Sequence, residues 1–192
     1  EEHGYDLALS HDQMRQLTAT GFWPLKKPEY ILNLEASTVL KHILEGKGYK
    51  VIMTRESHDV NISNSERAIF ANNNKADMVV RVHADSLNNP GKTGASILIP
   101  AKESKYTTAI YEDSQNCANL ISSKMKEAGI KVNGVFERGD LTGFNWSQVP
   151  VVLVEMGFLS NYTEDQMMSN PEYQTKLMQA ISDGLDEYFA NK

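Results

Sequence analysis

The feature that most limits what this chain can fold into is the run Val149-Pro150-Val151-Val152-Leu153-Val154, apolar throughout and ending in Glu155. A short apolar run rich in β-branched residues reads as a strand covered on both faces. Such a strand needs helices above and below it, and the chain supplies them. Tyr30–Leu44 carries Ile31, Leu32, Leu34, Val39, Leu40, Ile43 and Leu44 at helical spacing, and Gly46 and Gly48 stop it. Ser65–Asn74 reads as a short helix with Ser65 as its N-cap. Thr108–Ala128 reads as a long one running out at Gly129. Glu164–Met168 and Pro171–Phe189 close the chain as helices, the second with Pro171 in its first turn. Further strands are expected at Tyr5–Leu9, Tyr49–Thr54, Met78–His83 and Gly94–Ile99, and Val149–Glu155 is the central one. This alternation predicts an α/β fold, a single three-layer sandwich with a mostly parallel twisted sheet of about six strands flanked by helices. One domain spans residues 1–192, with loops at Arg55–Asn64, Ser86–Gly94 and Arg138–Gln148.

Composition removes several classes of function. A net charge of −6 and the lack of a basic stripe argue against nucleic-acid binding, and no glycine-rich phosphate loop is present. The apolar run is far short of the ~20 residues that cross a bilayer, so no membrane span is expected. A single cysteine, Cys117, excludes an internal disulfide framework and a cysteine-rich metal site, and on a helix it reads as a small buried hydrophobe. No signal peptide opens the chain, so for an exported protein the signal lies outside this sequence. No motif encodes an oligomeric state.

Two strand ends carry chemistry. Met78–His83 runs apolar into His83-Ala84-Asp85, and Val149–Glu155 runs into Glu155-Met156-Gly157-Phe158. In open α/β sheets, functional groups gather at the carboxyl ends of strands. A carboxylate there is costly unless it is paired, metal-bound or used. Glu29 follows Pro28 and opens the first helix, where the helix dipole favours an anion. Taken singly, each has an ordinary structural reading: a helix-start carboxylate, a hydrogen-bonded strand-end histidine, a partner for an arginine. Converging from separate elements, imidazole and carboxylate suit a zinc site.

Beyond spacing, the chain resembles a family. PEYILNL (28–34), GYKVIMTR (48–55), NISNSERAIFANNNKADMVVRVHADS (61–86), the strand start at Gly94-Ala95, PVVLVEMGFLSN (150–161) and YQTKLMQAISDGLDEYF (173–189) are similar to the zinc-dependent N-acetylmuramoyl-L-alanine amidases of the Amidase_3 type. The resemblance implies a bacterial cell-wall hydrolase acting on peptidoglycan outside the cell. Its reaction would be hydrolysis of the amide between the lactyl group of N-acetylmuramic acid and L-alanine of the stem peptide. It implies zinc as cofactor, Glu29 and His83 as metal ligands, and Glu155 as catalytic acid/base. The family's first histidine closes an Asp-x-Gly-His motif that is absent here. His11, after Leu7-Ala8-Leu9-Ser10, is the best substitute, and His3-Gly4 is the alternative. That departure keeps a second reading open, a catalytically impaired relative that binds peptidoglycan or a partner protein. A third is a different zinc hydrolase, such as a stem-peptide peptidase. Arg55, Arg67 and Asn72 fall on family positions and read as structural pins. Asp85 is expected near the His83 region. His42 and His58 match no family position. Phe144 and Trp146 read either as core or as groove lining, with core favoured.

Overall fold

The structure is a computed structural model and describes residues 27–192. In chain order these form α1 (Glu29–Gly46), α2 (Asn64–Asn73), β1 (Val79–Asp85), β2 (Ala95–Pro100), α3 (Thr108–Glu127), β3 (Val132–Arg138), the single turn α4 (Thr142–Asn145), β4 (Val151–Phe158), α5 (Tyr162–Ser169) and α6 (Pro171–Ala190). The expected strand Tyr5–Leu9 lies outside the described residues, as do His3 and His11.

The helices form where the periodicity places them. α1 buries Leu32, Ala36, Leu40 and Leu44, one residue per turn along a single stripe. It ends because Gly48 adopts φ 91°, letting the Gly48 and Tyr49 N–H groups turn back to the Glu45 and Leu44 carbonyls. The N-cap of α2 is Ser63 rather than the expected Ser65. The Ser63 hydroxyl accepts from the Glu66 N–H, and the Glu66 carboxylate accepts from the Ser63 N–H. That reciprocal pair satisfies two N-terminal donors at once, which Ser65 has no downstream acid to match.

The sheet order is β1-β4-β2-β3. β1 runs parallel to β4, β2 parallel to β3, and β2 antiparallel to β4. Seven of the eight β4 residues are buried, the exception being Glu155, as expected for a strand with layers on both faces. One face packs α1, α3 and α6 through Leu32, Leu40, Ile121, Met125, Ile181 and Leu185. The other packs Phe144 of α4 with Ile110, Val151 and Leu153. The α/β sandwich is as expected, but the sheet is smaller and more mixed: among the described residues it has four strands, and one of three pairings is antiparallel.

Two local differences account for this. Tyr49–Thr54 is extended but forms no ladder among the described residues, although Tyr49 and Val51 pack against the core. Alternating burial reports a covered face; it does not supply a hydrogen-bonding neighbour. β3 was not expected. It is an edge strand with Gly134 in its middle, half-exposed residues on both faces and a register shift opposite Ala95–Ile97. Those features erase the period-two signal.

Candidate active site

β1 and β4 are parallel neighbours, so their carboxyl ends open at the same edge of the sheet. Their register pairs His83 directly with Glu155. Paired residues on adjacent strands project from one face, so imidazole and carboxyl stand side by side. The N-terminus of α1 arrives at the same mouth. Glu29 Oε1 lies 3.2 Å from His83 Nδ1 and accepts from Asn33 Nδ2 at 3.0 Å and from the Ala84 N–H at 3.4 Å. Asn33 is four residues along α1, one turn above Glu29 on the same face. Burial raises the Glu29 carboxyl, but the hydrogen bond and charge of His83, with Asn33 and the Ala84 N–H, outweigh it and hold the group below its ordinary value. Glu29 is therefore held as a carboxylate.

Glu155 is the opposite case. The residue is half-buried, but its Oε2 is sealed from solvent and has no hydrogen-bond partner among the described residues. Burial, then the negative charges of Asp85 and Glu29, push its pKa from an ordinary 4.5 to about 8, against the pull of Arg81 and Arg138. Two carboxyl groups at one mouth are thus driven apart: Glu29 stays an anion, while Glu155 of the metal-free protein holds a proton near neutrality.

This asymmetry has a consequence for stability. Between about pH 4.5 and 8 the folded metal-free protein binds a proton at Glu155 that the unfolded chain releases. Stability therefore falls as pH rises through that window. Urea unfolding of metal-free protein should show a lower midpoint at pH 8.5 than at pH 5.5. Glu155→Gln should remove the part of the decline owed to this group. Parallel midpoints in wild type and variant would refute the origin.

The donor set suits a zinc ion. Two ligands of a tetrahedral zinc with bonds of ~2.0–2.1 Å stand roughly 3.3 Å apart, and Glu29 Oε1 and His83 Nδ1 are separated by 3.2 Å. Among the described residues no third histidine, cysteine or carboxylate completes a cluster of three. His11 and His3, the candidates for that place, lie outside the described residues.

Arg55, Arg67 and Asn72 make contacts that tie the scaffold together. Arg55 Nη2 donates to the Tyr30 carbonyl at 2.6 Å, tying residue 55 to the start of α1. Arg67 Nη1 reaches Thr54 Oγ1 at 3.1 Å. Asn72 clamps the segment before β4, donating to the Trp146 carbonyl and accepting from the Gln148 N–H. Asp85 accepts from the Ser86 N–H. Phe144 is fully buried, as favoured, whereas Trp146 is exposed. Cys117 is buried, and its thiol is pushed by burial up to about 12, which keeps it inert. His42 and His58 are exposed, and His58 rests edge-on against Tyr30. Two residues of the site were not read from the sequence. Arg81 interrupts the apolar run of β1, a signal that could have found it, and donates to Asn64 Oδ1 at 2.6 Å. Ser96 pairs with Glu155 from the antiparallel side and had no local signal.

Comparison with known proteins bears on this geometry. Residues 16–187 match the profile of the N-acetylmuramoyl-L-alanine amidases, Amidase_3. The chain belongs to that family. A probable cell wall amidase, LytH of Staphylococcus saprophyticus, is 28% identical over 166 residues, which cover 86% of this chain and 51% of that protein. This amidase-family chain thus spans about half the length of that relative. Among solved structures it is similar to an N-acetylmuramoyl-L-alanine amidase from Clostridium difficile 630, with TM-score 0.77, 28% identity and 86% of each chain covered. It is also similar to the N-acetylmuramyl-L-alanine amidase Ami1 of Mycobacterium smegmatis, with TM-score 0.79, 25% identity, and 86% of this chain and 78% of that one covered.

Proposed function

We propose that the chain is a zinc-dependent amidase of the bacterial cell wall. It would cleave the amide between the lactyl group of N-acetylmuramic acid and L-alanine of the stem peptide. The observation that carries this reading is the convergence of Glu29, His83 and Glu155 at one strand mouth, with an anionic carboxylate 3.2 Å from an imidazole beside a carboxyl of raised pKa. Glu29 and His83 would hold the metal, with His11 as third ligand and His3 as the alternative. Zinc bound there supplies a Lewis acid that polarises the scissile carbonyl and acidifies water. Glu155 takes a proton from the attacking water as the new C–O bond forms. It returns that proton to the nitrogen as the C–N bond breaks, leaving a lactyl carboxylate and a free α-amine. A dication held by Glu29 and His83 would draw the Glu155 pKa down from its metal-free value of about 8, into the range where one carboxyl can both take and return a proton near neutral pH. The site acts at the cell wall in this reading, and no helix among the described residues is long and apolar enough to cross a membrane. A second reading, a wall-binding relative that does not cut, is favoured by the missing Asp-x-Gly-His motif.

Elemental analysis of wild type and variants separates the two. About one zinc per folded chain is expected in wild type and in His3→Ala, and much less than one in Glu29→Ala, His83→Ala and His11→Ala. The amidase must also expose an amino-terminal L-alanine on muramyl peptides. Folded wild type without zinc and without that product would establish the second reading. Full zinc in both Glu29→Ala and His83→Ala would overturn the ligand assignment.

A further inference from the structure

Beside the strand mouth, on the far side of Ser96, lies a groove of about 440 Å³ that the reaction above does not use. One wall is the loop between β1 and β2, and the floor is the start of β2 and β3. The loop is a formed wall rather than a loose one. Its Leu87 N–H donates to Ser160 Oγ at 3.3 Å, its Pro90 carbonyl accepts from Asn161 Nδ2 at 2.7 Å, and its Gly94 N–H donates to Glu164 Oε1. Glu164 Oε2 also accepts from the Phe158 N–H at 2.7 Å, so one carboxylate ties the loop to the end of the strand carrying Glu155.

The groove combines two chemistries. Lys92 and Lys131 line it, and neither has a carboxylate within ion-pair distance among the described residues, although the chain holds more acidic than basic residues. Lys131 Nζ is steadied by Thr93 Oγ1 at 2.6 Å. Asn133 Nδ2 donates to the Thr93 and Gly94 carbonyls at 3.1 Å and joins the loop to β3. Against these cations stand Leu87 and Phe136, which are 45% and 47% exposed. Large apolar side chains left open beside unpaired ammonium groups fit a ligand with an anionic group and an aliphatic body.

Position identifies which ligand. Ser96 lines the groove and is the register partner of Glu155, which is the partner of His83. The three residues form one row across the sheet, so the groove begins at the strand next to Glu155. Strands lie ~4.8 Å apart, which puts β3 about 10 Å from β4. An extended peptide advances ~3.3–3.6 Å per residue. A chain whose first amide sits at Glu155 therefore reaches the lysines with its second or third residue. Resting on the amidase reading, we propose that this groove binds a free carboxylate on the second or third residue of the stem peptide, with Lys92 and Lys131 as its cationic partners. The site thereby favours peptides whose carboxylate is free over those in which it is amidated. A phosphate-bearing wall polymer is the lesser fit, because it has no use for the apolar wall.

The test is equilibrium binding, which needs no turnover. Muramyl tripeptides with the carboxylate free or amidated are titrated into Glu155→Gln protein, alone and combined with Lys92→Met, Lys131→Met or both. We expect the free acid to bind about ten-fold tighter than the amide, as suits a partly desolvated charge pair, and the double lysine variant to erase that preference. Circular dichroism checks the fold, and Lys92→Met alone, which breaks none of the hydrogen bonds described above, should give an intermediate loss. Equal binding of acid and amide by the unsubstituted groove would overturn the proposal. So would a preference that survives loss of both lysines, or displacement of the peptide acid by polyglycerol phosphate through the same lysines at lower concentration. Failure of the amidase reading is seen separately, as zinc-loaded wild type that leaves both tripeptides uncut.

Discussion

Glu155→Gln should abolish amide hydrolysis while leaving the fold and the proposed ligands Glu29 and His83 in place. Glutamine keeps the shape of the side chain, so β4 stays packed, but it cannot exchange a proton. The sealed Oε2 has no hydrogen-bond partner among the described residues, so the variant breaks none there. General acid–base catalysis contributes roughly 10²–10⁴-fold, and Glu155 would act in both proton transfers, so a fall of about 10³-fold or more in kcat is expected. Release of amino-terminal L-alanine from a muramyl peptide measures it, and zinc content shows that Glu29 and His83 are undisturbed. Turnover within ten-fold of wild type would remove Glu155 from the mechanism. Asp85, the carboxylate whose charge acts most strongly on Glu155, would then have to be tested as the base.

The largest effect on stability is expected at Gly184. There α6 crosses α3 so closely that a Cβ at residue 184 would stand 2.6 Å from the Ile121 Cα and 2.8 Å from the Ile121 backbone nitrogen. The obstacle is backbone, so no rotamer change relieves it. Accommodating a methyl group requires the two helices to separate where Cys117, Ala118, Ile121, Met178, Ile181 and Leu185 are buried. Alanine favours an isolated helix over glycine by about 1 kcal/mol, so the sign depends on which effect is larger. Overpacking in a close-packed core costs ~1–3 kcal/mol and more where backbone must move. Gly184→Ala should therefore be destabilising by up to about 2 kcal/mol net, and Gly184→Val by more. Urea unfolding measures both, with Glu29, His83 and Glu155 untouched. An alanine variant as stable as wild type would mean that the crossing has slack.

These expectations rest on different amounts of sequence. The long helices were legible because each buries a stripe that recurs every turn: Leu32, Ala36, Leu40 and Leu44 in α1, and Leu177, Ile181 and Leu185 in α6. β4 was legible because a strand covered on both faces has no polar positions to confuse its period, apart from the Glu155 that marks its end. Glu29, His83 and Glu155 stood out for the same local reason, polar groups where apolar elements begin or end.

Contact between those residues is another matter. Sequence says that β1 and β4 end in His83 and Glu155; only the parallel register sets them side by side, because strand pairing joins segments some seventy residues apart through backbone groups that every residue carries. The same holds for β2, inserted antiparallel beside β4 so that Ser96 meets Glu155, and for Tyr49–Thr54, whose alternation finds no ladder among the described residues. The pKa contrast between Glu29 and Glu155 follows from that assembly, since burial and neighbouring charge exist only once the strands and α1 have met. By itself the sequence determined the elements and the chemistry each one carries, because propensity, capping and periodicity act within a few residues. The tertiary structure alone decided which chemistry shares a site, because register, strand order and desolvation are properties of segments brought together from across the chain.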